Sequence, residues 1–402
     1  MGAQLLIARR YLLSPKSHSV VNIIAGVSLV SLLLPVAAVI VLLSIFNGFS
    51  SMIYNMDSAI EGDLTVQLIE GRIFEQSDIN REAIEAIEGI EAISFSTEQT
   101  LLIEHKDRGT VLTLKGVDQN YTESIPIDEY VDVGKFQVEL GDLERIVVGN
   151  ATASRLGIRS LSDITIDIFA LKTGQLQSMI PIGSYNTAQA KLSGVVMIDV
   201  ETEERYAYAS QRLVNRLLNH EDGASKLSIK VSNGADIESI KRKIGGIVGD
   251  RFKVESRQEL NPAIYQIIRY EKLGVLLICS LVIVLAAFSL LGALTMLIIE
   301  KRGDVKTLRS MGTTHSDIRR IFLLEGGIIS TVAILAGVVL GIAVTLIQQY
   351  FGVVELPSSS MVLQYYPVDL QIGDVVSVVL ISGGISLALS YLTVNGVYKK
   401  EL

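Results

Sequence analysis

Cysteine and tryptophan are nearly absent from this chain of 402 residues, which contains one cysteine, Cys279, and no tryptophan. A lone cysteine cannot form a disulfide within the chain, so each domain must be stabilised by its hydrophobic core. Histidine is also scarce: His18, His105, His220 and His315 fall in different segments, without the spacing of metal ligands. The sequence therefore predicts no metal site.

The motifs of familiar catalytic sites are missing as well. No GxxxxGK[ST] loop is present to bind nucleotide phosphates, and no GxSxG turn to present a nucleophilic serine. Charged residues make up only 19% of the chain and its net charge is -8, which argues against a broad basic surface for nucleic acid. We expect a chain that is not an enzyme, has no cofactor of its own, and draws any energy from a partner.

Long hydrophobic runs are abundant. Hydrophobic residues reach 49%, and four uncharged stretches have the roughly 20 apolar residues needed to cross a bilayer. They cover residues 20–46, 273–299, 326–347 and 375–397. None contains Asp, Glu, Lys, Arg or His, which argues against a carrier with a charged ion site at mid-membrane. The sequence predicts an α-helical membrane protein with four transmembrane helices.

Basic residues mark one side of the predicted membrane. Lys and Arg precede the first stretch, crowd into residues 300–320 and follow the fourth stretch, whereas residues 348–374 contain neither. By the positive-inside rule, both termini and the 300–320 loop are cytoplasmic, and the large insert at 47–269 lies outside. In a bacterium this is a multi-pass inner-membrane protein with a periplasmic domain.

The predicted order is one helix, a large outer domain and three further helices, a 1+3 arrangement. Residues 1–19 are expected to form an amphipathic helix on the cytoplasmic leaflet, and residues 398–402 a cytoplasmic tail. The other boundaries are 20–46, 270–299, 321–347 and 375–397 for the transmembrane helices, 47–269 for the outer domain, 300–320 for a cytoplasmic loop and 348–374 for an outer loop.

The outer domain is predicted to be α+β, with two lobes. Alternating apolar residues predict strands at 62–69, 92–104, 110–117, 226–232 and 252–255, and capping residues predict helices at 80–87 and 236–248. One lobe would combine both ends of the insert, 60–121 plus 224–260. The other would be residues 122–223, with strands near 145–148, 163–169 and 195–199.

Residues 170–190 have no clean period and contain two glycines and Pro181, which predicts a loop or an irregular hairpin. Such a segment is either an ordinary surface loop or an arm that docks a partner. Met179, Ile180 and Pro181 favour a docking arm, because a free loop would prefer polar residues there.

The segment 300–325 has the most specific local pattern, EKRGDVKTLRSMGTTHSDIRRIFLLE. Val305, Leu308 and Met311 recur on one helical face beside basic residues, which predicts a short amphipathic helix ending near Gly312. The pattern alone fits either a solvated loop that sets membrane topology or a helix that seats on a cytoplasmic subunit.

Two runs in this segment resemble the FtsX/MacB-type permeases of ABC transporters. The first is E-K-x-x-[DE]-[IV]-x-x-L-x-x-x-G from Glu300, and the second is D-I-x-x-x-F-x-x-E-G from Asp317. Three further runs, IAxRYL at 7–12, LSIFNGF at 43–49 and RYEK at 269–272, most resemble the LolC/LolE lipoprotein-releasing permeases. The resemblance covers nearly the whole chain.

This resemblance implies that residues 300–312 form the coupling helix that contacts a separate ATPase. The residues it would assign to that contact are Glu300, Lys301, Asp304, Val305, Leu308, Arg309, Met311 and Gly312. It also implies two copies of a cytoplasmic ABC ATPase, which bind ATP and Mg, and a second permease that is either another copy or a paralogue.

The implied function is extraction of lipoproteins from the inner membrane and their transfer to a periplasmic carrier. Asn47, Gly48 and Phe49, together with Arg269 and Glu271, would form the rim of the substrate cavity. An alternative role for Arg269 and Glu271 is to anchor the helix end at the interface. The carrier would dock on the apolar residues of the 170–190 segment.

Two other functions remain open at the level of sequence. One is a MacB-like permease for efflux or mechanotransmission, and the other is an FtsX-like signal relay that transports nothing. MacB-like permeases usually carry a fused ATPase or need an outer-membrane exit duct, and no ATPase is fused here. FtsX-like chains generally have a much smaller outer domain than this one.

Overall fold

The computed structural model describes residues 20–171, 185–356 and 365–401. The chain divides into two compact units, one being Ile53–Tyr265 and the other the residues on both sides of it. The segment predicted as an amphipathic helix at 1–19 lies outside the described residues, and so do Met179, Ile180 and Pro181.

Four helices are long and apolar enough to cross a membrane, which confirms the four predicted spans. We number these membrane helices first to fourth: Val20–Ser58, Pro262–Glu300, His315–Phe351 and Ile372–Glu401. Each extends beyond its predicted stretch, because polar residues end a hydropathy window without ending a helix. A helix of this length is longer than the hydrocarbon core is thick, so it continues beyond the lipid or tilts.

One apolar core joins the four membrane helices. The buried residues that form it include Leu32, Val36, Ile40, Ile283, Ala333 and Val378. The first helix contributes half of these side chains, and it has no charged residue before Asp57. The other faces of the four helices carry exposed leucine, isoleucine and valine, as expected for surfaces that meet lipid.

A large mixed sheet organises the Ile53–Tyr265 unit. The strands in chain order are β1 (Leu64–Leu68), β2 (Phe74–Glu75), β3 (Ile90–His105), β4 (Arg108–Val117), β5 (Val131–Gly134), β6 (Glu139–Leu140), β7 (Leu143–Gly149), β8 (Thr165–Leu171), β9 (Tyr185–Val196), β10 (Tyr206–Ser210), β11 (Gly223–Ala224), β12 (Lys226–Val231) and β13 (Phe252–Ser256). Across the sheet the order is β13-β1-β12-β3-β4-β10-β7-β9-β5. β8 pairs with β3 and β9, β6 pairs with β7, and β2 and β11 form a separate pair.

Short helices pack on this sheet. They are Arg81–Glu85, Tyr121–Ser124, Asn150–Arg155, Val200–Arg205, Gln211–Leu218, Ile237–Val248 and Arg257–Leu260, with 3-10 turns at Gln76–Asp78 and Ile127–Tyr130. The predicted cap at Asn80 is confirmed, because its side chain accepts a hydrogen bond from the Ala83 amide. Asp236 also caps its helix and accepts two hydrogen bonds from the first turn. Helix Ile237–Val248 contributes Ile240 and Ile244 to one hydrophobic core, and helix Gln211–Leu218 contributes Leu213 and Val214 to another.

The predicted strands are largely confirmed. β3 and β4, both predicted as strands, form a hairpin that closes where His105 lies opposite Arg108. Residues 170–190 were expected to form a loop or an irregular hairpin. The hairpin is supported, because β8 runs to Leu171 and pairs antiparallel with β9 from Tyr185, while residues 172–184 lie outside the described residues. The start of β9 alternates between exposed and half-buried positions, so it has few apolar residues to reveal it. β10 is buried along its length and was not predicted.

Candidate functional site

The predicted short helix between the second and third membrane helices is present as Arg302–Ser310, which we call the loop helix. It follows the second membrane helix after a single residue, Lys301, whose ammonium lies 3.4 Å from the Asp304 carboxylate. Gly312 follows the helix with φ +92°, a backbone conformation that favours glycine and ends helices. The third membrane helix then begins at His315, with the Thr314 side chain accepting a hydrogen bond from the Asp317 amide.

Two faces of the loop helix have different surroundings. Val305 is buried in a cluster that draws on all three neighbouring membrane helices: Leu297, Ile298, Ile318, Phe322 and Val394. Leu308 is half-buried, while Arg309, Gly312 and Glu300 are exposed. Met311 is 78% exposed although its side chain is apolar. The helix is therefore seated on the membrane unit through Val305, and the apolar side chain of Met311, directly after the helix, is left exposed.

A polar cluster lies where the first and second membrane helices meet the start of the fourth. Asn47 Nδ2 donates to the Asp374 carboxylate at 2.6 Å, and Lys272 Nζ donates to Asn47 Oδ1 at 3.2 Å. Lys272 also lies 3.2 Å from Asp374 Oδ1. Three membrane helices are thus connected by one charged, hydrogen-bonded group, which we call the outer polar cluster.

The residues next to Asn47 fit closely against the same segment. A Cβ added at Gly48 would lie 2.4 Å from the Pro367 carbonyl carbon, so no side chain can be accommodated there. Phe49 packs edge-to-face on Tyr366, with ring centroids 6.1 Å apart. These three predicted rim residues therefore make contacts within the membrane unit. Arg269 and Glu271, the other two, are exposed.

A second polar group is buried inside the Ile53–Tyr265 unit. Lys226 Nζ donates to Glu61 at 2.8 Å and lies 3.1 Å from Glu98, and Lys115 Nζ lies 3.3 Å from the same Glu98 oxygen. The Lys115 ammonium has no exposed surface and donates to the Ile60 carbonyl at 3.0 Å. Two lysines and two glutamates thus form a buried ionic cluster that holds Ile60 and Glu61, directly after the first membrane helix, against β3, β4 and β12.

The charges of this buried ionic cluster stabilise one another. Burial would lower the pKa of Lys115, but the carboxylates of Glu61 and Glu98 outweigh burial and raise that pKa above its ordinary value. Burial would raise the pKa of Glu98, but the ammonium groups of Lys115 and Lys226 outweigh it and lower that pKa. Lys115 and Glu98 are therefore charged near neutral pH.

A third set of contacts joins the end of the first membrane helix to the start of the second, within the same unit. Asp57 accepts hydrogen bonds from Asn261 at 2.8 Å and from the Tyr265 hydroxyl at 2.9 Å. Tyr54 stacks on Tyr265 with ring centroids 5.1 Å apart. Beside these contacts is a cleft of about 510 Å³, whose lining includes Met56, Ile60, Glu61, Arg205, Lys226 and Ile264.

The sequence predicted the loop helix and Asn47 but not the residues that contact them. Asp374 and Lys272 lie at the ends of predicted spans, so an ion pair between them could have been proposed from the sequence. Lys115 had no such signal, because it alternates with leucines along β4 and its partners lie in distant segments. The docking residues Met179, Ile180 and Pro181 stay untested, since they lie outside the described residues.

Two family models match this chain. A model described as MacB-like periplasmic core domain matches residues 25–247, and one described as FtsX-like permease C-terminal matches residues 276–402. The periplasmic region of MacB from Actinobacillus actinomycetemcomitans covers 54% of this chain and 98% of its own, with a TM-score of 0.37 and 11% identity.

Two curated relatives align along almost their full length. The lipoprotein-releasing system transmembrane protein LolC of Neisseria meningitidis is 24% identical over 94% of this chain and 93% of its own. The lipoprotein-releasing system transmembrane protein LolE of Haemophilus influenzae is 22% identical over 97% of this chain and 95% of its own. Since the MacB-like model spans more than half of the chain and the FtsX-like model most of the rest, the chain belongs to the FtsX/MacB-like permease superfamily, in which it resembles LolC and LolE from end to end.

Proposed function

We propose that this chain is the permease subunit of an ATP-driven complex that extracts lipoproteins from the bacterial inner membrane and passes them to a periplasmic carrier. The observation that carries the proposal is the alignment with LolC and LolE, which spans both the membrane helices and the insert between the first two of them. A match limited to one part would have fitted any member of the superfamily.

The proposed architecture places one helix before a two-lobed periplasmic domain and three helices after it. Both termini and the loop helix face the cytoplasm, as the distribution of lysine and arginine supports. A second permease, either another copy or a paralogue, completes the membrane part, and a cavity for acyl chains forms between the two.

The energy needed explains why such a permease requires a motor. A lipoprotein with three acyl chains buries about 40 methylenes, and at about 0.8 kcal/mol each its transfer into water costs on the order of 30 kcal/mol. Spontaneous release is therefore negligible, and a shielded path to a carrier is needed. The energy comes from two cytoplasmic ATPase subunits, which bind ATP and Mg.

The loop helix is the proposed contact with the ATPase. Its seat through Val305 supports this role, because movement of the helix is passed directly to the second, third and fourth membrane helices. Met311, with Arg309 and Lys306 beside it, offers an apolar contact with a basic border to the cytoplasmic subunit. Glu300, Lys301, Asp304, Leu308 and Gly312 set the ends and the orientation of the helix in this proposal.

Transmission to the periplasmic domain follows the first two membrane helices. The contacts of Asp57 with Asn261 and Tyr265 join these helices, and the buried ionic cluster fixes the segment after the first helix to the sheet. A movement of either helix is thus passed to β3, β4 and β12. Arg269 and Glu271 form the exposed cavity rim in this proposal, and Asn47, Gly48 and Phe49 hold the rim in place. The carrier docks on Met179, Ile180 and Pro181.

One alternative is supported by a specific observation. The match to the MacB-like periplasmic core domain fits a permease that transmits ATP-driven movement for efflux rather than for lipoprotein release. Such a permease would hydrolyse ATP through its partner without moving lipoprotein to a soluble carrier.

The test is release of a labelled lipoprotein from proteoliposomes that contain this chain and its partner ATPase, with the soluble carrier outside. Lipoprotein should appear on the carrier only when ATP and carrier are both present. Sustained ATP hydrolysis with all lipoprotein left in the vesicles would overturn the proposal and favour the alternative.

A further inference from the structure

Glu325 in the third membrane helix is a buried acid. Its side chain has no exposed surface, and neither carboxyl oxygen has a hydrogen-bond partner among the described residues. It lies one residue before the uncharged stretch at 326–347 and inside the predicted transmembrane helix at 321–347, and the helix around it starts at His315. Ionisable residues within membrane helices are costly and commonly mark functional sites.

Three membrane helices approach one another next to this acid. A Cβ added at Gly326 would lie 2.9 Å from the Ser390 hydroxyl of the fourth helix and 2.9 Å from the Leu294 side chain of the second. The buried hydroxyls of Ser390 and Ser386 also lack hydrogen-bond partners within the described part of the chain. The third and fourth helices thus each carry buried polar groups that have no hydrogen-bond partner among the described residues, and the two helices approach closely at Gly326 and Ser390.

Few charges act on the Glu325 carboxyl. The charged group that acts on it is Lys301, at the start of the loop segment, and Lys301 is itself 3.4 Å from Asp304. On the fourth helix the nearby titratable group is Tyr391, whose ring lies 5.1 Å from the Arg319 guanidinium. The second helix contributes leucines to this region. An ionised carboxylate at this buried position would be poorly solvated.

We propose that Glu325 is an intramembrane proton-binding site, whose neutral carboxyl allows the third and fourth helices to stay packed beside the seat of the loop helix. Phe322 is one turn before Glu325 and Val394 is one turn after Ser390, and both belong to the buried cluster that seats Val305. Loss of the proton to the cytoplasmic buffer leaves a buried anion. The helix ends must then separate, either to let water reach the carboxylate or to let the carboxylate approach Lys301. Separation removes the seat of Val305. Coupling to ATP hydrolysis then depends on this proton, a consequence that rests on the proposed function.

The site itself is tested by infrared spectroscopy of the full chain in lipid bilayers, wild type against Glu325→Gln. The wild type should show the carbonyl stretch of a protonated carboxylic acid that is missing from Glu325→Gln, because glutamine is neutral and has no acid proton. If wild type and Glu325→Gln have the same spectrum in this region from mildly acidic to mildly alkaline pH, the carboxyl is ionised and the proposal is wrong.

The consequence for coupling is tested separately in proteoliposomes with the partner ATPase. Release by the wild type should be lost as the pH inside the ATPase compartment is made alkaline, whereas Glu325→Gln should keep releasing cargo under the same conditions. An identical pH dependence of the two proteins would overturn the link between the proton and coupling. Absence of any lipoprotein release by the wild type would count against the proposed function and leave the infrared result intact.

Discussion

Lys115 is a fully buried lysine whose charge is satisfied by distant parts of the chain. Replacing it with methionine would leave Glu61 and Glu98 with Lys226 as their remaining ammonium partner, and thus with one uncompensated buried charge. Removing one member of a buried ionic group typically costs about 3–5 kcal/mol of unfolding free energy. We expect Lys115→Met to lower the stability of the outer domain by that amount, measured by urea unfolding of the full chain. Tyrosine fluorescence is the probe, since the chain has no tryptophan.

A matched control is available on the surface of the same domain. Lys191 Nζ lies 2.6 Å from Asp163, but both side chains are largely exposed. Water already solvates this pair, so Lys191→Met should leave the unfolding midpoint nearly unchanged. Equal effects of the two lysine substitutions would show that the ionic cluster contributes no more than a surface ion pair.

The buried ionic cluster predicts that the free energy of unfolding depends on pH in both the acidic and the alkaline range. The pKa of Glu98 is lowered in the folded state, so its contribution is present above the ordinary value of 4.5 and is lost as pH falls through the folded pKa. The pKa of Lys115 is raised, so its contribution is present below the ordinary value of 10.5 and is lost as pH rises through the folded pKa. The stability difference between wild type and Lys115→Met/Glu98→Gln should therefore be constant near neutrality and change at both extremes. A difference that varies steadily across neutral pH would contradict these charge states.

Among the secondary-structure elements, the first membrane helix offers a test of close contact. Gly48→Ala places a Cβ 2.4 Å from the backbone of Pro367, which must move and disturb the outer polar cluster. Overpacking of this kind costs about 1–3 kcal/mol, so the thermal unfolding temperature of the chain in lipid should fall. Gly26→Ala in the same helix meets no atom within 4 Å and should be neutral or slightly stabilising. Similar unfolding temperatures for both variants would contradict the close approach at Gly48.

The loop helix predicts where the ATPase binds. Met311→Asp puts a charge on the exposed apolar side chain at the end of this helix, and should weaken co-purification of the partner ATPase without unfolding the chain. Val353→Asp makes the same kind of change at an exposed apolar residue after the third membrane helix, and should leave ATPase binding intact. Loss of binding in both variants, or in neither, would contradict the assignment of the loop helix as the contact.

Elements also differ in how well the sequence predicts them. The membrane helices follow from hydropathy, and the loop helix from the spacing of Val305 and Leu308, because both depend on residues close together in the chain. β9 and β10 depend on partners that are distant in sequence, so local alternation does not reveal them. Glu325 was missed for a related reason: one acid at the edge of an apolar stretch reads as its boundary, and only packing shows that it is buried.

At the scale of the whole molecule, sequence motifs predicted the function. They did not predict the polar groups that join distant segments of the chain. The coupling residues lie in one continuous segment, so a resemblance could assign them. The buried ionic cluster joins positions 61, 98, 115 and 226, and the outer polar cluster joins positions 47, 272 and 374. Such groups require the fold to bring their members together, and no single-sequence pattern specifies them.

The central claim is that this chain converts ATP hydrolysis into lipoprotein release through the loop helix. The most direct measurement records both quantities in the same proteoliposomes, with carrier outside, for wild type and Met311→Asp. We expect release in wild type to rise in proportion to ATP hydrolysed, and both to fall in Met311→Asp because the ATPase no longer engages. Undiminished release by Met311→Asp, or release by wild type without ATP, would contradict the account.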